Sequence, residues 1–157
     1  MNGLAIGDIA MGYIRSGYLV NRGRIYVGGV SSNSLRTVGG VWGRYPMAGD
    51  QYCTGGASFG ELCGYVVQAG GPVNAFYIDQ ATNQFTGEAR RVWVGRKSSG
   101  ACSGPGDSGG PVYTVATDGK VWAKGYISGA NRSACRNYFT SQVDADTSLP
   151  GGVIVGA

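Results

Sequence analysis

The 157-residue sequence contains no histidine. Histidine is the side chain that most often carries protons in enzyme active sites, so a general base in this chain would have to be another residue type. Charge is also sparse, because charged residues make up only 14% of the chain and the net charge is +4. The arginines are scattered apart from a small cluster at residues 90–97, so we expect a solvated face there and no nucleic-acid partner.

Long apolar runs and metal-binding patterns are missing too. No run approaches the roughly 18 residues of a membrane-spanning helix, so we expect no membrane partner. No Cys-x2-Cys pair occurs, which argues against zinc, and we expect neither a metal nor another cofactor. The four cysteines form an even set whose pairing stays open on the sequence alone, and disulfides imply an oxidising compartment.

Glycine is the abundant residue, with 30 copies in 157 positions against a usual share of ~7%. Glycine-rich turns alternate with short runs of valine, tyrosine and tryptophan, and this pattern predicts an all-β fold. The expected strands lie in the ranges 24–30, 37–41, 49–69, 76–78, 90–94, 113–115 and 121–127, with residues 142–143 closing the sheet. One helical turn is expected at residues 143–148.

The densest group of turn-forming residues is the stretch 104–112, Gly-Pro-Gly-Asp-Ser-Gly-Gly-Pro-Val. So many glycines and prolines exclude a helix interior or a central strand. The stretch therefore predicts a tight loop whose backbone N–H groups can turn toward a ligand. Ser108, in its middle, is placed either as a nucleophile or as a hydrogen-bonding turn residue.

Residues 106–111, Gly-Asp-Ser-Gly-Gly-Pro, resemble the nucleophile loop of trypsin-like serine proteases. Cys102 before the loop, Gly-Tyr-Ile-Ser-Gly at residues 125–129 and Cys135 beyond it are similar in order and spacing to the streptogrisin-type bacterial members. The resemblance implies a six-stranded antiparallel Greek-key barrel, the second barrel of the trypsin-like fold. That barrel would span residues 41–157, after a remnant of the first barrel and linking strands at residues 1–40.

Asp8 lies in a three-residue segment that resembles the one carrying the family's catalytic aspartate. In the family the histidine precedes this aspartate, and here only seven residues do. We therefore expect the second barrel and the tail of the first, with an open N-terminal β-edge that recruits a second copy of the chain or another polypeptide.

The resemblance also assigns roles around the loop. Ser108 would be the nucleophile, the backbone N–H groups of Gly106 and Ser108 would form the oxyanion hole, and Asp107 would order the loop, with an arginine as its cationic partner. The substrate-binding residues would be Ser128, Gly129, Ala130, Gly100 and Ala101. Because no acid lies among them and Ala130 replaces a glycine, we expect small or medium apolar substrate groups.

The resemblance favours the disulfides Cys53–Cys63 and Cys102–Cys135 in a secreted parent protein. The first residues of the sequence carry no basic-then-apolar secretion signal, so we expect that Met1 is not the natural start.

Three functional interpretations stay open. The chain is a degenerate serine hydrolase with weak esterase activity on activated short-chain esters, in which Lys97 or Lys124 could replace the histidine. Alternatively, it is an inactive protease fragment or pseudo-protease that acts as a binding module. In the third interpretation it is a half-enzyme completed by a histidine-bearing partner chain. The expected ligand is a small ester or a peptide.

Overall fold

The computed structural model describes residues 23–79 and 81–149, which form an all-β structure. The strands within these ranges are β1 (Arg24–Val27), β2 (Ser34–Val41), β3 (Gln51–Gly56), β4 (Gly60–Val67), β5 (Val73–Ile78), β6 (Phe85–Arg96), β7 (Pro111–Val115), β8 (Val121–Asn131) and β9 (Arg136–Ser141). The helix α1 (Gln142–Ser148) follows β9. With seven residues, this single described helix is too short to cross a membrane. The predictions at Asp8 and at the N-terminal edge lie outside the described residues.

Six of the strands pair in a closed ring. Around the ring they are β3, β4, β6, β9, β8 and β7, and β7 pairs with β3 again. All six pairings are antiparallel. Outside the ring, β5 is antiparallel to β6, β1 is antiparallel to β2, and β2 runs parallel to β8. The sheet as a whole is therefore mixed, because the segment before the ring adds one parallel pair.

The ring strands share one apolar cluster, to which each of the six contributes. Its buried members are Tyr52, Leu62, Tyr65, Val67, Trp93, Val112, Ile127 and Phe139. Successive side chains on a strand point to opposite faces, so the neighbours of Tyr52 and Val112 point the other way. These neighbours, Cys53 and Tyr113, belong to a second cluster with residues of β1, β2 and β8. The hairpin of β1 and β2 thus covers the outer face of β3, β7 and β8.

The sequence prediction for the C-terminal end of the sheet is wrong. Residues 142–143 do not close the sheet but begin α1, and β9 closes the ring between β6 and β8 instead. Ser141 ends the strand by capping the helix: its Oγ accepts a hydrogen bond from the N–H of Asp144 at 3.1 Å and donates one to the carboxylate of Asp144 at 2.7 Å. The helical turn expected at residues 143–148 is present.

Two disulfides tie the segments around the ring together. Cys53–Cys63 joins β3 to β4, and Cys102–Cys135 joins the segment before Ser108 to the turn before β9. This is the pairing that the family resemblance favours.

A buried lysine fastens the segment between β2 and β3. The side chain of Lys124, on β8, is fully buried, and its Nζ lies 3.4 Å from Oδ2 of Asp50 and 3.5 Å from the ring centroid of Trp42. Arg44 also binds Asp50, through two hydrogen bonds of 2.9 Å. Removal from water lowers the pKa of Lys124 from 10.5 to about 8, although the neighbouring Asp50 acts in the opposite direction.

Replacing this lysine should remove a rise of stability with pH. Between pH values near 8 and 10.5 the folded chain binds fewer protons than the unfolded chain, so the free energy of unfolding increases as the pH rises. The wild-type increase should be about 2 kcal/mol between about pH 7 and about pH 9.5, and Lys124→Met should abolish it. Urea unfolding followed by circular dichroism measures it.

Lys120→Met is the matched control, because the Lys120 side chain is 54% exposed and lies just before the same strand. This variant should keep the wild-type rise. An equal rise in the wild-type and Lys124→Met proteins would show that the lowered pKa of Lys124 is not the cause of the rise.

Candidate functional site

Ser108 lies on an exposed loop that leads into β7 and runs beside β8. The loop pairs with β8 through hydrogen bonds from the N–H of Gly109 to the carbonyl of Ile127 at 2.8 Å and from the N–H of Ile127 to the carbonyl of Gly110 at 2.9 Å. The hydroxyl of Ser108 donates a weak hydrogen bond to the carbonyl of Ser128 at 3.5 Å. Ser108 is thus directed at the strand that was predicted to bind substrate.

The carboxylate of Asp107 is buried and bound by backbone amides. Its Oδ1 accepts hydrogen bonds from the N–H groups of Ser58 at 3.0 Å and Phe59 at 3.1 Å, both on the turn between β3 and β4. Its Oδ2 accepts one from the N–H of Gly104 at 3.3 Å. The arginine partner expected from the sequence is absent among the described residues, because three N–H groups already satisfy this carboxylate. Asp107 therefore joins its own loop to the neighbouring hairpin.

Two amides of the loop are left without acceptors. The N–H of Asp107 donates to Gly104 and the N–H of Gly110 donates to Asp107, which closes two successive turns. Within the described ranges, the N–H groups of Gly106 and Ser108 donate to no acceptor. Gly106 has φ +91°, and a Cβ there would overlap Oγ of Ser58, so the turn requires glycine. Chemically, the loop offers two N–H donors to an anion, as an oxyanion hole requires.

A buried hydrogen-bond network anchors the start of the loop. The N–H of Ser103 donates to the hydroxyl of Tyr65 at 2.7 Å, and the Oγ of Ser103 accepts from Nδ2 of Asn137 at 3.2 Å. The hydroxyl of Tyr52 completes the network by donating to Oδ1 of Asn137 at 3.2 Å. Burial raises the pKa of Tyr52 well above its usual value, so this donor stays protonated. The loop thus starts from a fixed point inside the ring.

The predicted substrate-binding residues fall into two places. The backbone of Ser128 accepts from Ser108, and the ring of Tyr77 lies against Gly129, where a Cβ would come within 3.0 Å of it. Ala130 follows on the same strand and lines cavities of about 450 Å³ and about 480 Å³. Gly100 and Ala101 are exposed and lie beside Lys97, whose ammonium donates to the carbonyl of Ala101 at 3.1 Å.

Neither lysine is placed as a general base for Ser108. Lys124 is engaged with Asp50 and Trp42, and it lies four residues along β8 from Ser128, a separation of roughly 13 Å. The ammonium of Lys97 binds the carbonyl of Ala101. In the part of the chain that the structure describes, the carbonyl of Ser128 is the one hydrogen-bond partner of the Ser108 hydroxyl.

One group of potential metal ligands exists in the described ranges, formed by Cys53, Glu61 and Cys63. The two sulfurs are bonded to each other, and the Glu61 carboxylate accepts hydrogen bonds from the hydroxyl of Tyr113 at 2.8 Å and from the N–H of Gly28 at 2.9 Å. Through the bond to Gly28, the residue after β1, Glu61 links β1 to the ring.

Sequence reasoning missed two residues that hold the loop. The ring of Phe59 lies against Gly104, and the guanidinium of Arg132 lies over that ring, 4.5 Å from its centroid. The aromatic residue in the turn Gly-Gly-Ala-Ser-Phe-Gly at residues 55–60 is the signal that could have revealed this contact, because turns seldom require one.

No protein-family model matches the chain, and no curated protein matches it.

Gly56→Ala should displace the Asp107 carboxylate. A Cβ at Gly56 would overlap this carboxylate, and overpacking of this kind costs about 1–3 kcal/mol. Gly43→Ala is the matched control, because a Cβ there meets nothing within 4 Å, and it should change stability by less than about 0.5 kcal/mol. Urea unfolding measures the stability of both variants. The difference between the two values removes the effect of alanine on the unfolded chain, because both variants share it. Equal stabilities of the two variants would show that the hairpin does not clamp Asp107.

Proposed function

We propose that the protein is a degenerate serine hydrolase built on the second barrel of the trypsin-like fold. It would hydrolyse activated short-chain esters weakly, with Ser108 as nucleophile. The ring of six antiparallel strands supports the barrel assignment, since each ring strand contributes to one apolar cluster.

The observation that carries the proposal is the pair of unbonded N–H groups at Gly106 and Ser108. The neighbouring amides of Asp107, Gly109 and Gly110 all have acceptors, so these two are the donors that remain for a ligand within the described residues. Backbone donors held in place before the reaction stabilise a developing oxyanion at little reorganisation cost.

The reaction would proceed by acyl transfer. The Oγ of Ser108 attacks the ester carbonyl, its proton passes to solvent water, and the carbonyl oxygen becomes an oxyanion held by the amides of Gly106 and Ser108. The carbon–oxygen bond to the phenolic leaving group then breaks and releases phenolate, which needs no proton donor. Water hydrolyses the acyl-enzyme and restores Ser108.

The missing histidine limits the rate enhancement that this site could give. In serine proteases, loss of the catalytic histidine costs about 10⁶ in rate, and the oxyanion hole with substrate binding retains about 10³–10⁴ over water. Amide bonds have poor leaving groups that require an acid, so the proposed activity is confined to activated esters.

Hydrolysis of p-nitrophenyl butyrate by the wild-type protein and Ser108→Ala tests the proposal. The wild-type rate should exceed the buffer rate by more than the roughly 10³-fold that an oxyanion hole and binding supply without a nucleophile, and Ser108→Ala should fall back to about that value. Ser99→Ala, a variant of an exposed serine outside the loop, is the control that should behave as wild type. Mass spectrometry after a fluorophosphonate probe should find the adduct on Ser108.

Equal rates for wild type and Ser108→Ala, together with no adduct, would exclude the esterase. The protein would then be one of the two alternatives, a catalytically inactive binding module or a half-enzyme that needs a histidine-bearing partner chain.

We also propose an extracellular site of action and association through the N-terminal edge. The two disulfides support an oxidising compartment. Among the described strands, β1 stands at one end of the strand order and pairs only with β2, so the described sheet ends next to the predicted edge. Sedimentation of a monomer at every protein concentration would contradict self-association.

A further inference from the structure

A cavity of about 480 Å³ adjoins the Ser108 loop. It is lined by Pro105, Ala130, Asn131, Arg132 and Ser133. Pro105 precedes Gly106 of the loop, and Ala130 follows Gly129 on β8, so the cavity touches both elements of the candidate site. A substrate held at Ser108 can therefore extend a side group into it.

Among the described residues, Arg132 is the only charged one that lines this cavity. Its guanidinium carbon lies 4.5 Å from the centroid of Phe59, and its Cδ lies against Gly104, where a Cβ would come within 2.7 Å. Stacking on an aromatic ring restricts the guanidinium and leaves its N–H edge available for hydrogen bonds. Within the described ranges, no carboxylate forms an ion pair with Arg132.

Asn131, which also lines the cavity, has a side-chain amide that can supply a second donor. Its Oδ1 accepts hydrogen bonds from the hydroxyl of Ser133 at 2.8 Å and from the N–H of Ala134 at 3.1 Å. These two bonds assign the oxygen end of the side chain and leave the Nδ2 end as a donor. The cavity thus combines one cation with an amide donor, and none of the described residues in its lining is an acid.

We propose that this cavity binds a carboxylate of the substrate, with Arg132 as its partner. The proposal deepens the esterase function and rests on it, because it makes the preferred substrates anionic acyl compounds. A planar guanidinium matches a carboxylate through two parallel N–H bonds. The small or medium apolar group expected near Ser128 and Gly129 would be a different part of the same substrate.

Two esters that differ in one charge test the preference. N-succinyl-alanine p-nitrophenyl ester carries the carboxylate, and N-butanoyl-alanine p-nitrophenyl ester is its neutral counterpart. The ratio of kcat/KM for the charged over the neutral ester should fall about 10-fold in Arg132→Gln, the loss expected for one charge-assisted hydrogen-bond pair. Arg132→Lys keeps the charge without the planar fork and should recover part of the ratio.

A second experiment measures binding and does not depend on catalysis. Calorimetry measures binding of N-succinyl-alanine p-nitroanilide to Ser108→Ala protein, in which no acyl transfer can occur. Adding Arg132→Gln should raise the dissociation constant about 10-fold. Arg24→Gln removes the same charge from an exposed position on β1 and should leave the dissociation constant unchanged, which excludes a general effect of net charge. Circular dichroism verifies that each variant is folded.

The outcomes separate the two proposals. Equal dissociation constants with and without Arg132→Gln, or no measurable binding of the anilide, would overturn the carboxylate site. If binding depends on Arg132 but neither ester is hydrolysed, the carboxylate site stands and the Ser108 esterase fails. If both esters are hydrolysed but the ratio of their kcat/KM values is unchanged in Arg132→Gln, the esterase stands and this inference fails.

Discussion

The candidate site depends on one buried carboxylate, that of Asp107. A buried charge is costly unless it is hydrogen-bonded, and here three backbone amides supply the bonds. Two of them come from the turn between β3 and β4, so satisfying the charge also fixes the distance between that turn and the loop. Gly56 permits this approach, because a Cβ there would overlap the carboxylate. The geometry of Gly106 and Ser108 follows from this contact.

Two of the buried charges in the described residues, Asp107 and Lys124, are stabilised in different ways. Asp107 has no ion-pair partner among the described residues, and three backbone amides donate hydrogen bonds to its carboxylate instead. Lys124 has a carboxylate and an aromatic face as partners, yet burial still lowers its pKa to about 8. The first group holds the loop that carries Ser108, and the second holds the segment before β3. Lys124, one of the two lysines proposed to replace histidine, is thus engaged in holding the fold.

Much of the fold could be predicted from the sequence, and particular residues explain the rest. The Asp118–Gly119 turn is a local signal, and it lies between the predicted strands 113–115 and 121–127, which correspond to β7 and β8. Strand β9 was missed because Asn137, Thr140 and Ser141 are buried polar residues, which hide the alternation that marks a strand. The amide partners of Asp107 could not be predicted either, since backbone groups carry no residue-specific signal.

The candidate site separates two contributions that a full serine protease combines. In the proposed esterase, the free amides of Gly106 and Ser108 would stabilise transition-state charge, whereas no titratable side chain among the described residues hydrogen-bonds to the Ser108 hydroxyl. The lack of a proton donor matters for amides but not for phenolic esters, because an amide leaving group must be protonated and a phenolate need not be. A site that stabilises the oxyanion but transfers no proton selects its substrates first by how readily the leaving group departs and only then by the acyl chain. Any selectivity for the acyl part must then arise from binding, and the charge at Arg132 is the strongest such feature beside the loop.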